Sequence, residues 1–207
     1  MNEMKLKFPD VLEDPEMEKY CFANQMEFIL YSAKRKKEGG FRGIIWLASE
    51  EYQTLFNKGY DLFDKGRYPE AIRVLQDALK LNPVGLDARF ELCECYLALG
   101  LVPGARQILL DMQDYLVEPF YIARFYRRMG FIAAERRDFR LAAACLLYSL
   151  KFEREEAYVR NELAYVFQCA GRTFKVYDPR LVIRKAGLPL LKALYSEEES
   201  SSAEGEG

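Results

Sequence analysis

The sequence contains no histidine. That removes the commonest general base, the Ser/His and Cys/His nucleophile systems and most zinc sites. Its five cysteines, Cys21, Cys93, Cys95, Cys145 and Cys169, are odd in number and follow no disulfide framework. Cys93 and Cys95 form the one close pair, but two residues apart on a helix they point in different directions and make a poor metal pair. No apolar run approaches the ~20 residues of a membrane-spanning helix. The opening MNEMKLKFPDVLEDPE has early acids and no apolar signal core. A net charge of −2, with Lys and Arg spread along the chain, supplies no field for nucleic acid or an anionic membrane. Gly39, Gly40 and Gly43 lack the spacing of a phosphate loop. The expectation from these absences is a cytoplasmic, non-enzymatic protein without cofactor or metal, and without a nucleic-acid or membrane partner.

What is present is enough to fold. Half of the 207 residues are apolar and 30% are charged. The stretch NKGYDLFDKGRYPEAIRVLQDALKLNP, residues 57–83, carries small and apolar residues at fixed intervals. Relative to Gly59, Leu62 lies three residues on, Gly66 seven, Ala71 twelve and Leu75 sixteen. Two helices meeting at Gly66 explain this. Gly59 and Ala71 let them approach closely, Tyr68 and Leu75 fill the gap, and Pro83 ends the second helix. The pattern recurs 34 residues on, with Cys93, Tyr96, Gly100, Ala105 and Leu109. It recurs again 37 residues further, with Gly130, Ala133, Phe139, Ala142 and Leu146, where the turn reads RRDF instead of carrying glycine. A fourth anchor, Ala164, follows after another 34 residues with Phe167 and Gly171. Such a period signals an array of helical hairpins.

With these residues the chain resembles the tetratricopeptide repeat family. Residues 51–83 match its motif closely, 85–117 and 122–154 less so, and the fourth copy, 156–171, only in its first helix. The resemblance implies an all-α, right-handed solenoid that binds a protein or peptide in a concave groove as a scaffold or adaptor. Small chaperones of bacterial type III secretion share the motif and the helix before it, so a chaperone of secreted proteins is a second expectation. A structural subunit of a homo-oligomer or larger assembly is a third.

The flanks set the expected boundaries. Residues 1–48 read as an N-terminal helix and linker packed on the array, with one long helix over 14–38, Asp14 as its cap and Gly39 as its stop. Self-association through that helix is the sharper alternative to simple capping. Ile44, Ile45 and Trp46 are expected to tuck the linker against the first repeat, and Ser49 to cap the next helix. The array occupies 49–171. Capping helices over 172–195 begin at Asp178–Pro179, and the acidic, serine-rich 196–207 reads as disordered.

In this family the first helix of each hairpin lines the groove. The expected groove residues are Phe56, Tyr60, Phe63 and Phe90 from the first two copies, Arg124, Arg127 and Phe131 from the third, and Tyr158, Asn161 and Tyr165 from the fourth. Aromatic rings offer contact area at little entropic cost, and arginine offers forked hydrogen bonds to carboxylates. The set predicts a peptide with apolar anchors and an acidic group. A family variant grips terminal carboxylates with Lys and Asn on its first two units and basic residues on the third. Those slots hold Phe56, Tyr60 and Glu91 here, and only Arg124 and Arg128 match.

Overall fold

A computed structural model describes residues 17–39 and 42–194. The expected tail, 196–207, and the proposed cap Asp14 lie outside the described residues. The chain divides into two compact units, one up to Leu101 and one from Val102.

Among the described residues the first unit starts with a strand, where the long helix over 14–38 is expected. β1 (Met17–Tyr20) pairs in parallel with β2 (Gly43–Trp46), Met17 opposite Gly43 and Tyr20 opposite Trp46. Between them α1 runs Gln25–Glu38. The helix starts at Asn24, whose side chain accepts the Glu27 N–H at 2.9 Å, so the chain before it is free to extend. It stops at Gly39, where φ is 72° and the N–H donates to the Arg35 carbonyl. Arg35, Lys36 and Lys37 sit in its last turn, where the helix dipole favours them. Tyr20, Phe22, Phe28, Tyr31 and Trp46 stack into one aromatic cluster that holds α1 on the strands. Trp46 Nε1 donates to the Phe22 carbonyl at 2.9 Å. Arg35 Nε donates to Glu18 at 3.1 Å.

The hairpin that follows is α2 (Glu50–Asp64) and α3 (Tyr68–Leu81), with α4 (Leu86–Ala98) packed on α3. Ser49 holds the cap position of α2 but makes no side-chain cap bond. Gly59 is buried against Leu75: a Cβ on Gly59 would meet the Leu75 side chain at 2.7 Å. Ala71, Leu75 and Ala78 are fully buried on the facing side of α3. The N-terminal segment docks on this hairpin through the Cys21 N–H, which donates to the Leu81 carbonyl at 2.7 Å.

The second unit contains α5 (Val102–Asp111), a 3-10 turn (Gln113–Tyr115), α6 (Pro119–Glu135), α7 (Phe139–Ser149), α8 (Glu156–Ala170) and α9 (Pro179–Lys185). Gly130 of α6 meets α7 closely, since a Cβ there would lie 3.2 Å from the Ala142 carbonyl and from Leu146. The RRDF turn reproduces the glycine turns by other means. Gly66, Gly100 and Gly171 have φ of 70°, 70° and 66°, and Arg137 takes the same left-handed position at 61°. Asp138 then caps α7, accepting the Leu141 N–H at 3.1 Å.

Asp178 caps α9 by accepting from Arg180 and Leu181, as the Asp–Pro pair predicts, and α9 packs on α7. The expected second capping helix is absent. Residues 189–194 form no helix, and Tyr126 engages their backbone. Its hydroxyl donates to the Pro189 carbonyl at 2.8 Å and accepts the Leu191 N–H at 2.9 Å. The Leu194 N–H donates to the Val117 carbonyl at 3.0 Å.

Candidate functional site

In the first unit, α2 presents Tyr60 to solvent with 44% of its surface exposed, and Phe56 and Phe63 half-buried beside it. Phe56 stacks on Tyr52, and Phe63 packs against Tyr68 across the hairpin. Both rings therefore serve the hairpin as well as its surface. Phe90 does not belong to that surface: it is fully buried in α4. An aromatic residue at this slot fills the core because α4 is apolar around much of its circumference. Leu86, Ala88, Leu92, Cys93 and Cys95 are buried with it.

In the second unit the candidate face is built from α6 and α8, which lie side by side. Tyr158 and Tyr165 of α8 are exposed, Asn161 is exposed between them, and Phe131 and Arg124 of α6 are half-buried. Tyr165 and Cys169 are one helical turn apart. Interaction with the Cys169 side chain raises the Tyr165 phenol's pKa above its ordinary value. Cys169 is itself exposed, whereas the other four cysteines are buried.

Arg127 corrects the expectation of an open basic spot. It is 8% exposed, and its guanidinium bonds Glu153 at 3.1 Å and Glu155 at 2.9 Å. The same group lies 5.5 Å from the Tyr158 ring centroid. Its charge is neutralised inside the unit, where it ties α6 to the segment entering α8. Glu153 and Glu155 are partners of Arg127 that the repeat pattern does not point to. They lie in the connection after α7, outside the periodic helix positions, so spacing gives no signal for them.

Burial pushes the Cys95 thiol up to about 11 and the Cys145 thiol higher still, so both stay protonated near neutral pH. Among the described residues no group of three carboxylates or thiols could hold a metal, and no helix is long and apolar enough to cross a membrane. A separate cavity of about 380 Å³ in the second unit is lined by Arg106, Met129, Ile132, Arg136, Leu141 and Leu188. None of the expected groove residues lines it.

The hairpins, their buried small residues and the left-handed turns are the packing logic of one family, and the sequence agrees. Residues 62–119 match the model of the tetratricopeptide repeat. Over that span the chain is similar to tetratricopeptide repeats. Among solved structures, the first tetratricopeptide domain of Spaghetti (RPAP3), bound to the HSP90 peptide SRMEEVD, is similar with a TM-score of 0.53 and 19% identity. The likeness covers 60% of this chain and 97% of that one, and it is a likeness of fold. No curated protein matches the sequence. In tetratricopeptide terms, Tyr60, Phe131 and Tyr165 each stand one residue after the anchor of their first helix, at Gly59, Gly130 and Ala164. Two of the three rings are exposed and the third is half-buried.

Proposed function

We propose that this protein binds extended segments of a partner protein through the first-helix faces of its repeats, one face in each unit, as an adaptor without catalytic activity. The observation that carries the reading is the recurrence of an aromatic ring at the slot after the anchor, with Tyr60 and Tyr165 each 44% exposed. A soluble chain leaves large rings in water at repeated positions at a cost, unless they are contact surface. Aromatic side chains are the commonest anchors at such surfaces. The similar domain of Spaghetti binds an acidic peptide, which supports a peptide as the class of ligand. Its acidic tail end does not transfer. Phe56, Tyr60 and Glu91 replace the polar clamp of the carboxylate-gripping variant, and Arg127 is already paired with Glu153 and Glu155. The preferred segment therefore has apolar or aromatic anchors, with at most one acid.

The test is selection of binders from a library of extended peptides, followed by calorimetry on the full chain. Tyr60→Ala and the pair Phe131→Ala with Tyr165→Ala should each lower affinity by about tenfold or more. The circular dichroism spectrum should be unchanged in each. Selected peptides that bind all variants equally would remove these faces from the site.

A further inference from the structure

The N-terminal strands carry an unfinished sheet. In a parallel ladder the N–H and C=O of alternate residues point to the same side. The Leu47 N–H donates to the Tyr20 carbonyl at 2.8 Å, and Tyr20 lies opposite Trp46. That phase turns the backbone of Gly43, Ile45 and Leu47 toward β1. It turns the N–H and C=O of Ile44 and Trp46 outward. Among the described residues these groups have no partner beyond the ladder. The far side of β1 is already engaged, since the next outward group, the Cys21 N–H, bonds the end of α3. Among the described residues, β2 is the edge of the sheet left without such a contact.

This edge has none of the features that protect an open strand. Its sequence is Gly-Ile-Ile-Trp, with no charge, no proline and no bulge. Trp46 is 43% exposed and Leu47 37%. Parallel sheets are otherwise found with both faces covered.

We infer that β2 pairs antiparallel with β2 of a second copy of this chain, giving a four-stranded sheet β1-β2-β2-β1 about a twofold axis. The outward residues are two apart, which is what a twofold requires. Ile44 of one copy exchanges both backbone bonds with Trp46 of the other, and the reverse pair repeats them. Ile45 meets its own copy on the axis as a non-hydrogen-bonded pair, with Cα atoms about 4.5 Å apart. The cross-strand pairs are then Ile44 with Trp46, apolar on apolar. Strand spacing places the two α1 helices on one face of the sheet, about 10 Å apart, which is a packing distance for helices. The flank of α1 toward β2 is suited to that contact. It carries Phe28, which stacks on Trp46, then Ile29, nearly half exposed. One turn after Phe28 stands Ser32, whose buried hydroxyl has no hydrogen-bond partner among the described residues. An isologous interface of this kind leaves the aromatic faces of α2 and α8 outside the pairing edge, so it goes beyond the binding reading and is independent of it.

The experiment is light scattering and sedimentation of the full chain over a concentration series, with two variants. The wild type should reach twice the 24.1 kDa chain mass. Ile44→Pro removes an N–H that the β1 ladder does not use, so it should yield a folded monomer with an unchanged circular dichroism spectrum. Ile45→Cys, in a Cys169→Ser background, should oxidise to a covalent dimer, because the two new thiols face each other across the axis. A wild type that stays monomeric at every concentration overturns the inference. If the Ile44 amide is also protected from exchange in that monomer, another segment of the same chain covers the edge. A dimer that survives Ile44→Pro, or in which Ile45→Cys does not cross-link, places the interface elsewhere and overturns it equally.

Discussion

Asn82, fully buried at the end of α3, donates its side-chain amide to Glu27 at the start of α1 at 2.8 Å. The same Glu27 oxygen accepts the Ala23 N–H at 2.7 Å. On its other side Asn82 accepts the N–H groups of Val84 and Gly85, which shapes the turn into α4. One amide thus joins the N-terminal segment, the first hairpin and the next helix. Removing it leaves a buried carboxylate short of a donor and two backbone N–H groups short of an acceptor. Asn82→Ala should lower unfolding free energy by about 2–3 kcal/mol, since bonds to charged groups exceed the ordinary value. Urea denaturation measures it, and an unchanged midpoint would show that water replaces the amide without cost.

The turn at Arg137 gives the opposite sign. A non-glycine residue in the left-handed region costs about 1–2 kcal/mol. Glycine returns roughly 0.5–1 kcal/mol of that through the greater freedom of the unfolded chain. Arg137→Gly, which restores the residue found at Gly66 and Gly100, should stabilise the protein by about 0.5–1 kcal/mol. A lowered thermal midpoint would mean that the Arg137 side chain makes a contact worth more than the strain.

Glu18 supplies a pH dependence. The hydrogen bonds from Arg35 hold its carboxyl below the usual carboxylate range. A lowered folded-state value favours the ionised form in the native state, so the stability it contributes is present above the unfolded pKa. It is lost as pH falls through the folded one. Glu18→Gln should therefore lower the melting temperature at pH 7 and converge with the wild type at acid pH. Parallel melting curves from pH 7 to pH 3 would exclude a contribution from this pair.

Tyr126 tests the C-terminal strap. Tyr126→Phe keeps the buried ring, which packs on Tyr148 and Phe152, but deletes both bonds to residues 189–191. The expected loss is about 1 kcal/mol, with faster amide exchange confined to residues 188–194. Uniformly faster exchange throughout the second unit would mean the hydroxyl supports the core rather than the strap.

The repeats are legible in the sequence because their signal is steric and local. Only a residue without a side chain fits where Gly59 meets Leu75, and only a left-handed residue closes the turns, so the spacing is written directly into residue type. The N-terminal strands are not legible for the opposite reason. Met17, Cys21 and Phe22 recur at helical spacing, and a four-residue strand carries too few alternations to outvote them. What decides its conformation is pairing with residues 43–46, a contact made across α1. The candidate faces fall between these cases. Tyr60 and Tyr165 are exposed where slot counting puts them. Phe90 is not, because the burial of α4 depends on its neighbours in space. Arg127 is buried beneath two glutamates that belong to no periodic position.

The distribution of thiols has a practical consequence. Four are buried in cores and Cys169 alone is exposed, one turn from Tyr165. A maleimide dye added to the unmodified protein would attach there first. It would sit at the edge of the α8 face, where arrival of a partner segment would change its emission. The native chain thus offers a built-in fluorescent reporter position for partner screening, with no engineered cysteine.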